Sequence, residues 1–135
     1  MPNLSERSEA NLAKVHPKLA LVVRAAFMRM GEFGGLSFIV TEGARSIERQ
    51  KQLVVAGASR TMNSRHLVDE SGYCHAVDLA ATIDGKVAWD WPLYGKIAFT
   101  MKEAAKDLGV PLIWGGDWKN FKDGPHFEIP PGTPL

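Results

Sequence analysis

The chain has 135 residues, 45% hydrophobic and 23% charged, with 16 Lys+Arg against 15 Asp+Glu and a formal charge of +1. That is a single globular domain spanning residues 1–135, able to bury roughly two-thirds of its unfolded surface without staples. Near-neutrality argues against wholesale electrostatic binding of nucleic acid. One cysteine, Cys74, excludes an internal disulfide framework and a multi-cysteine zinc knuckle. No run reaches the roughly 18 apolar residues needed for membrane insertion. Residues 1–7 lack the basic-then-apolar pattern of a signal peptide, so the expectation is a monomer that stays in the cytoplasm where it is made.

In chain order, residues 5–15 form a short helix. A longer one follows Pro17, with Leu19, Val22, Val23, Ala26, Phe27 and Met30 on one face and Gly31 at its end. Residues 36–41 are β-rich and bounded by glycines, which predicts a strand. Ser46 is placed to cap a helix running to about Ala56 and stopped by Gly57. Residues 57–75, rich in Gly, Ser, Asn and Asp, read as a long loop, and such loops in compact domains are often functional. Residues 76–81 form a strand, with a hairpin turn at Asp84-Gly85. Residues 92–108 form an amphipathic helix with Leu93, Ile97, Met101, Ala104, Ala105 and Leu108 inward. Residues 110–114 and 126–129 are two more short strands. Helices first, then strands mixed with a helix, define an α+β fold with a small, mainly antiparallel sheet.

The chain has 4 histidines. His16, before Pro17, reads as a solvated surface residue. His66, His75 and His126 lie in or beside segments dense in Asp, Gly and Ser. Zinc accepts imidazole and carboxylate ligands, and a catalytic site keeps one position open for water. A nearby carboxylate must then move the proton, and Asp123 precedes His126 across a Gly-Pro turn. Spacing alone favours core histidines and a turn aspartate over a metal site.

Ser64-Arg65-His66 followed by His75-Ala76-Val77-Asp78-Leu79 resembles the motif Ser-x-His-x-x-Gly-x-Ala-x-Asp. That motif belongs to the VanY-like D-alanyl-D-alanine carboxypeptidase and L-alanyl-D-glutamate endopeptidase family. Asp123-Gly124-Pro125-His126-Phe127 is similar to the family's second motif, and the segment from Thr41 through Arg45 and Ser46 to Gln50 to its upstream arginine segment. Trp114-Gly115-Gly116-Asp117-Trp118 resembles the branch of phage-type endolysins. The resemblance implies a Hedgehog/DD-peptidase-like fold, Zn2+ held by His66, Asp78 and His126, Asp123 as general base and acid, and Arg45 on the substrate carboxylate or carbonyl oxygen. Beside that resemblance, Asp117 reads as orienting a ligand histidine or a substrate amide, or as a turn aspartate, and Ser64 as a bond to the loop or ordinary turn chemistry. His75 lies an odd number of positions from Asp78, hence on the opposite strand face, and is read as structural or supporting. Trp114 and Trp118 divide between core and cleft wall; Trp89 and Trp91 read as packing; Glu128 supports the site or is an exposed strand residue. The chain departs from the motif in one stretch. Residues 69–73 are extra, expected to form a rim loop, and Cys74 stands in place of glycine.

The implied function is a zinc peptidase that cleaves the L-alanyl-D-glutamate bond of peptidoglycan stem peptides, as phage or prophage endolysins do. Such an enzyme waits in the host cytoplasm until it reaches the wall. The alternatives are a D,D-carboxypeptidase using the same metal, and a non-catalytic zinc-binding module on the same fold.

Overall fold

The computed structural model describes residues 3–31, 34–59, 62 and 64–135. Helix α1, Glu6–Leu12, starts where the Ser5 hydroxyl accepts the Ser8 N–H at 3.1 Å. Helix α2, Pro17–Met30, begins on a proline whose missing N–H costs nothing there. His16 caps it, Nδ1 accepting the Lys18 N–H at 3.2 Å. It is therefore a half-buried cap and not the solvated residue the sequence suggested. Helix α3, Ile47–Val55, is capped by Ser46 as expected, and α4 spans Trp91–Leu108, ending on Gly109 in the left-handed region at φ 70°.

The strands are β1 (Leu36–Glu42), β2 (Ala76–Ile83), β3 (Lys86–Ala88), β4 (Ile113–Trp114) and β5 (His126–Glu128). They form one antiparallel sheet in the order β1-β2-β5-β4, with β3 paired to the far end of β2. The β2–β3 turn carries positive φ at both Asp84 (49°) and Gly85 (84°), the conformation that matches hairpin twist. Strand β4 starts at Ile113 and not at Val110 as the sequence suggested, and Pro111, which has no N–H to give a ladder, lies in the segment before it.

The sheet has an apolar face and a chemical face, and strand alternation decides which residue goes where. Val77, Leu79 and Ala81 of β2, Phe38 and Val40 of β1 and Phe127 of β5 join the core built by α2 and α4. Each large apolar side chain buried there contributes roughly 1.5–3 kcal/mol. On α4 the buried face includes Tyr94 and Ala98, whereas Leu108, expected inward, is 46% exposed because it lies in the last turn, at the helix end. The Tyr94 hydroxyl ties α4 to the hairpin, accepting the Ala81 N–H (3.1 Å) and donating to the Ala88 carbonyl (3.0 Å).

The residues between the core positions, Asp78 on β2 and His126 and Glu128 on β5, therefore face the other way. Asp78 lies opposite His126 in the β2–β5 ladder. On its other side the register shifts between Val40 and Glu42, so that Glu42, not Thr41, lies opposite Asp78. Such a bulge re-aims the side chains beyond it. Helix α1 covers this edge: Ser8 Oγ accepts the Val40 N–H (3.0 Å) and Asn11 Nδ2 donates to the Val40 carbonyl (2.8 Å).

Candidate metal centre and catalytic cleft

Glu42, Asp78 and His126 thus stand in a row across three strands, and the loop after α3 brings His66 onto them. His66 is fixed by its backbone: its N–H donates to Ser64 Oγ (3.1 Å) and its carbonyl accepts the Arg45 N–H (2.8 Å). Ser64 therefore shapes the bend that presents the imidazole. One ligand-type atom from each of His66, Asp78 and His126 lies within 4.8 Å of the others. His66 Nε2 is 3.2 Å and His126 Nδ1 is 3.4 Å from Asp78 Oδ1.

The far sides of the two rings settle which nitrogens are free. His66 Nδ1 is 2.8 Å from the Gly43 carbonyl, an acceptor only, so Nδ1 carries the proton and Nε2 offers a lone pair. His126 Nε2 is 2.8 Å from Glu128 Oε1, so its Nδ1 faces Asp78. Two imidazole nitrogens and a carboxylate oxygen converge, each ring held from behind by an oxygen, which is the support that ligating histidines use. The donor set fits a small divalent cation with N and O preferences. Burial opposes the charge of Asp78, but hydrogen bonds to His126 and His66 outweigh burial and hold the carboxyl well below its usual range. Burial likewise disfavours charge on His126, yet its bonds to Asp78 and Glu128 push it up to about 9.

Glu128 is buried against His126, which decides between the two readings its position allowed. Glu128→Gln should fold and weaken metal binding by about ten- to a hundredfold in a chelator competition, the usual loss when such a partner is removed.

Asp123 is half-buried beside this cluster. Its N–H donates to the Gly115 carbonyl (3.0 Å) and its carbonyl accepts the His126 N–H (3.2 Å). A Cβ on Gly115 would collide with that carbonyl, which is why the Trp-Gly-Gly-Asp segment needs glycine there. Among the described residues nothing hydrogen-bonds the Asp123 carboxylate. Burial, then the charge of Asp78, push its pKa up, a shift that suits a group exchanging protons.

Arg45 is held on two sides, Nε donating to Glu42 Oε1 and Nη1 to Gln50 Oε1 at 2.8 Å, with Nη2 3.9 Å from Asp78 Oδ2. Gln50 is itself fully buried and donates to Ser59 Oγ at 2.8 Å. Neither Glu42 nor Gln50 was singled out from the sequence; strict alternation from Phe38 and Val40 would turn Glu42 to the core, and the bulge turns it to the cleft.

The cleft beside this cluster has about 1450 Å³ and is lined also by Arg49 and Leu53 of the α3 wall, Val68 and Asp69, and Trp118 and Phe121 near the turn that carries Asp123. Trp118 packs 5.1 Å from the His126 ring. Trp114 does not line the cleft. It stacks on Trp91 at 5.8 Å and its Nε1 donates to the Gly124 carbonyl (2.7 Å), bracing the turn from behind. Trp89 and Trp91, expected to pack, remain 67% and 49% exposed, each with one ring neighbour.

Asp117 also lies outside the cleft. It pairs with Lys102 at 2.6 Å on the surface, so the orienting role finds no ligand within its reach. His75 faces away from the cluster as strand alternation required. Its Nδ1 is 3.1 Å from Asp69 and its ring 5.3 Å from His16. The extra residues 69–73 form an exposed turn. Asp69 accepts the Ser71 N–H (2.8 Å), and the Asp69 N–H donates to the Tyr73 carbonyl (3.1 Å). Cys74 beyond it is free, buried and bonded through its N–H to the Lys14 carbonyl at 2.8 Å. None of Asp69, Glu70 and Cys74 joins the ligand group found among the described residues. Asp69→Ala and Glu70→Ala should therefore keep the wild-type metal content, read by elemental analysis of the purified proteins.

An α+β domain whose sheet presents an aspartate and a histidine, joined by a second histidine from the loop after α3, in a cleft beside a carboxylate that has no hydrogen-bond partner among the described residues, has the donor set of a mononuclear hydrolytic metal centre. The comparisons make the class specific: the chain belongs to the phage L-alanyl-D-glutamate peptidase family, whose profile matches residues 2–130. It is 31% identical over 132 residues to the L-alanyl-D-glutamate peptidase of Escherichia phage T5, covering 95% of this chain and 89% of that one. It is 36% identical over 107 residues to the peptidoglycan L-alanyl-D-glutamate endopeptidase CwlK of Bacillus subtilis, covering 72% of this chain and 63% of the relative. The crystal structure of the Serratia marcescens L-Ala D-Glu endopeptidase ChiX superposes with a TM-score of 0.81 at 43% identity, covering 94% of this chain and 89% of that one. Among the described residues no helix is long and apolar enough to cross a membrane.

Proposed function

We propose that this protein is a zinc-dependent endopeptidase that cleaves the L-alanyl-D-glutamate bond of peptidoglycan stem peptides. The observation that carries the reading is the convergence of His66 Nε2, Asp78 and His126 Nδ1 within 4.8 Å, both rings held from behind, at the floor of the cleft. Family membership supplies the substrate. Zinc is the choice that the donor set favours, since it takes imidazole and carboxylate together and leaves a position open. When bound, the ion supplies an acidified water and polarises the scissile carbonyl.

The chain's own residues do the rest. Asp123 takes a proton from the attacking water and returns it to the departing D-glutamyl nitrogen. The Arg45 guanidinium, aimed by Glu42 and Gln50, stabilises the charge that develops on the carbonyl oxygen. Trp118 shields one side of the His126 ring from water. The enzyme acts as a monomer, from the host cytoplasm once the wall is within reach.

The test is digestion of purified sacculi with and without a chelator, followed by mass spectrometry of the products. New D-glutamyl amino termini that vanish with the chelator are the expected result. Release of free D-alanine instead would establish a D,D-carboxypeptidase, and no product at all would leave a binding module.

A further inference from the structure

The cleft's charges do not balance, and the imbalance identifies what the substrate must bring. Its carboxylates are engaged from within: Glu42 by Arg45, Asp78 by the two histidines, Asp69 by Ser71 and His75, Glu128 by His126. Asp123 alone is left, for proton transfer. Among the cations Arg45 is occupied, Arg49 on the exposed α3 wall meets Gln52 at 3.5 Å, and Arg65 is paired with no carboxylate among the described residues. Its guanidinium has only one acceptor among the described residues, the Ile129 carbonyl, 3.0 Å from Nη2. Its Nε is buried with no partner. Among the described residues no carboxylate comes within ion-pair distance of it, and it lines the cleft next to His66.

The backbone fixes Arg65 firmly. Its carbonyl accepts the His75 N–H at 2.9 Å, and its side chain reaches back to the residue after Glu128. The outward edge of the planar fork is thus set in place, suited to a carboxylate. This inference rests on the proposed activity. A D-glutamyl residue that gives its amine to the scissile bond, and one carboxyl to the continuing chain, keeps a second carboxylate free a few bonds away. We propose that Arg65 receives this free carboxylate and so selects D-glutamate on the leaving side of the cut.

The probes are two stem peptides, one with the free glutamyl carboxylate and one with that carboxylate amidated. Binding is measured by calorimetry in an Asp123→Asn background loaded with zinc, where the peptides survive. Amidation should weaken binding about ten- to a hundredfold, the worth of a charge-assisted contact. Adding Arg65→Gln should lower affinity for the acidic peptide alone and abolish the discrimination. Arg65→Lys keeps the charge without the fork, should give an intermediate ratio, and serves where the Gln variant does not fold; zinc content and melting temperature check both. Full discrimination in Arg65→Gln would overturn the assignment. So would loss of discrimination in Arg49→Gln alone, which would move the role to the α3 wall. If the wild type cuts no L-alanyl-D-glutamate bond in sacculi, the activity itself is wrong, a result obtained independently of any Arg65 variant.

Discussion

Asp123→Asn will fold, hold zinc like the wild type and degrade sacculi about a hundred- to ten-thousandfold more slowly, the usual worth of a positioned acid–base group. The substitution keeps size and shape. The backbone contacts that place the residue, to Gly115 and His126, do not involve the side chain and so persist. What is lost is the ability to take a proton, and with it a negative charge beside Asp78 in a partly buried site. Metal binding should change little all the same, because Asp123 is not in the group of converging donors. Asp117→Asn is the control. That carboxylate is exposed and pairs only with Lys102, and exposed pairs contribute roughly 0–1 kcal/mol. Its rate should stay near wild type. A dead Asp117→Asn beside an active Asp123→Asn would reverse the assignment, and turbidity loss of a sacculus suspension reads both.

The His66, Asp78 and His126 cluster was partly legible in the sequence, because Asp78 and His126 belong to local strand motifs while His66 comes from the loop after α3. Asp78 and His126 each sit in a period-2 pattern whose core partners, Val77, Leu79 and Phe127, are unmistakably apolar. Once the two strands pair, the register brings the polar residues together. His75 was excluded by the same parity. What escaped was set by events with no local signature. The bulge near Thr41 turned Glu42 from the core to the cleft, and nothing in Phe38-Ile39-Val40-Thr41-Glu42 announces it. Gln50 is buried because Arg45 reaches it across the start of α3, a side-chain contact invisible to helical periodicity. Of the two readings of Asp117, the structure favours the turn residue, paired with Lys102 at the surface. It shares a motif with Gly115 and Trp114, but the single 3-10 turn at Gly115–Asp117 points its carboxylate outward to Lys102. Motif membership fixed the backbone there and left the side chain's direction open.

Removing a ligand should cost more than removing the group behind it. His66→Ala and His126→Ala are expected to lose zinc on dialysis and lose sacculus activity with it, beyond the ten- to hundredfold weakening roughly expected for Glu128→Gln. His75→Ala should retain both, since its ring contacts Asp69 and His16 on the other side of the strand. Melting curves separate ligand loss from misfolding. A native-state ligand stabilises in proportion to the logarithm of its excess, by about 2.7 kcal/mol at a hundredfold over Kd. Wild type and His75→Ala should therefore melt higher as zinc is added, whereas His66→Ala and His126→Ala should melt at a temperature indifferent to zinc. The metal-free variants should still unfold cooperatively, because the core of α2, α4 and the opposite sheet face contains neither ring. A zinc-dependent rise that survives His126→Ala but disappears in His75→Ala would mean that the metal lies on the other side of β2 and that the strand parity used to place it is wrong.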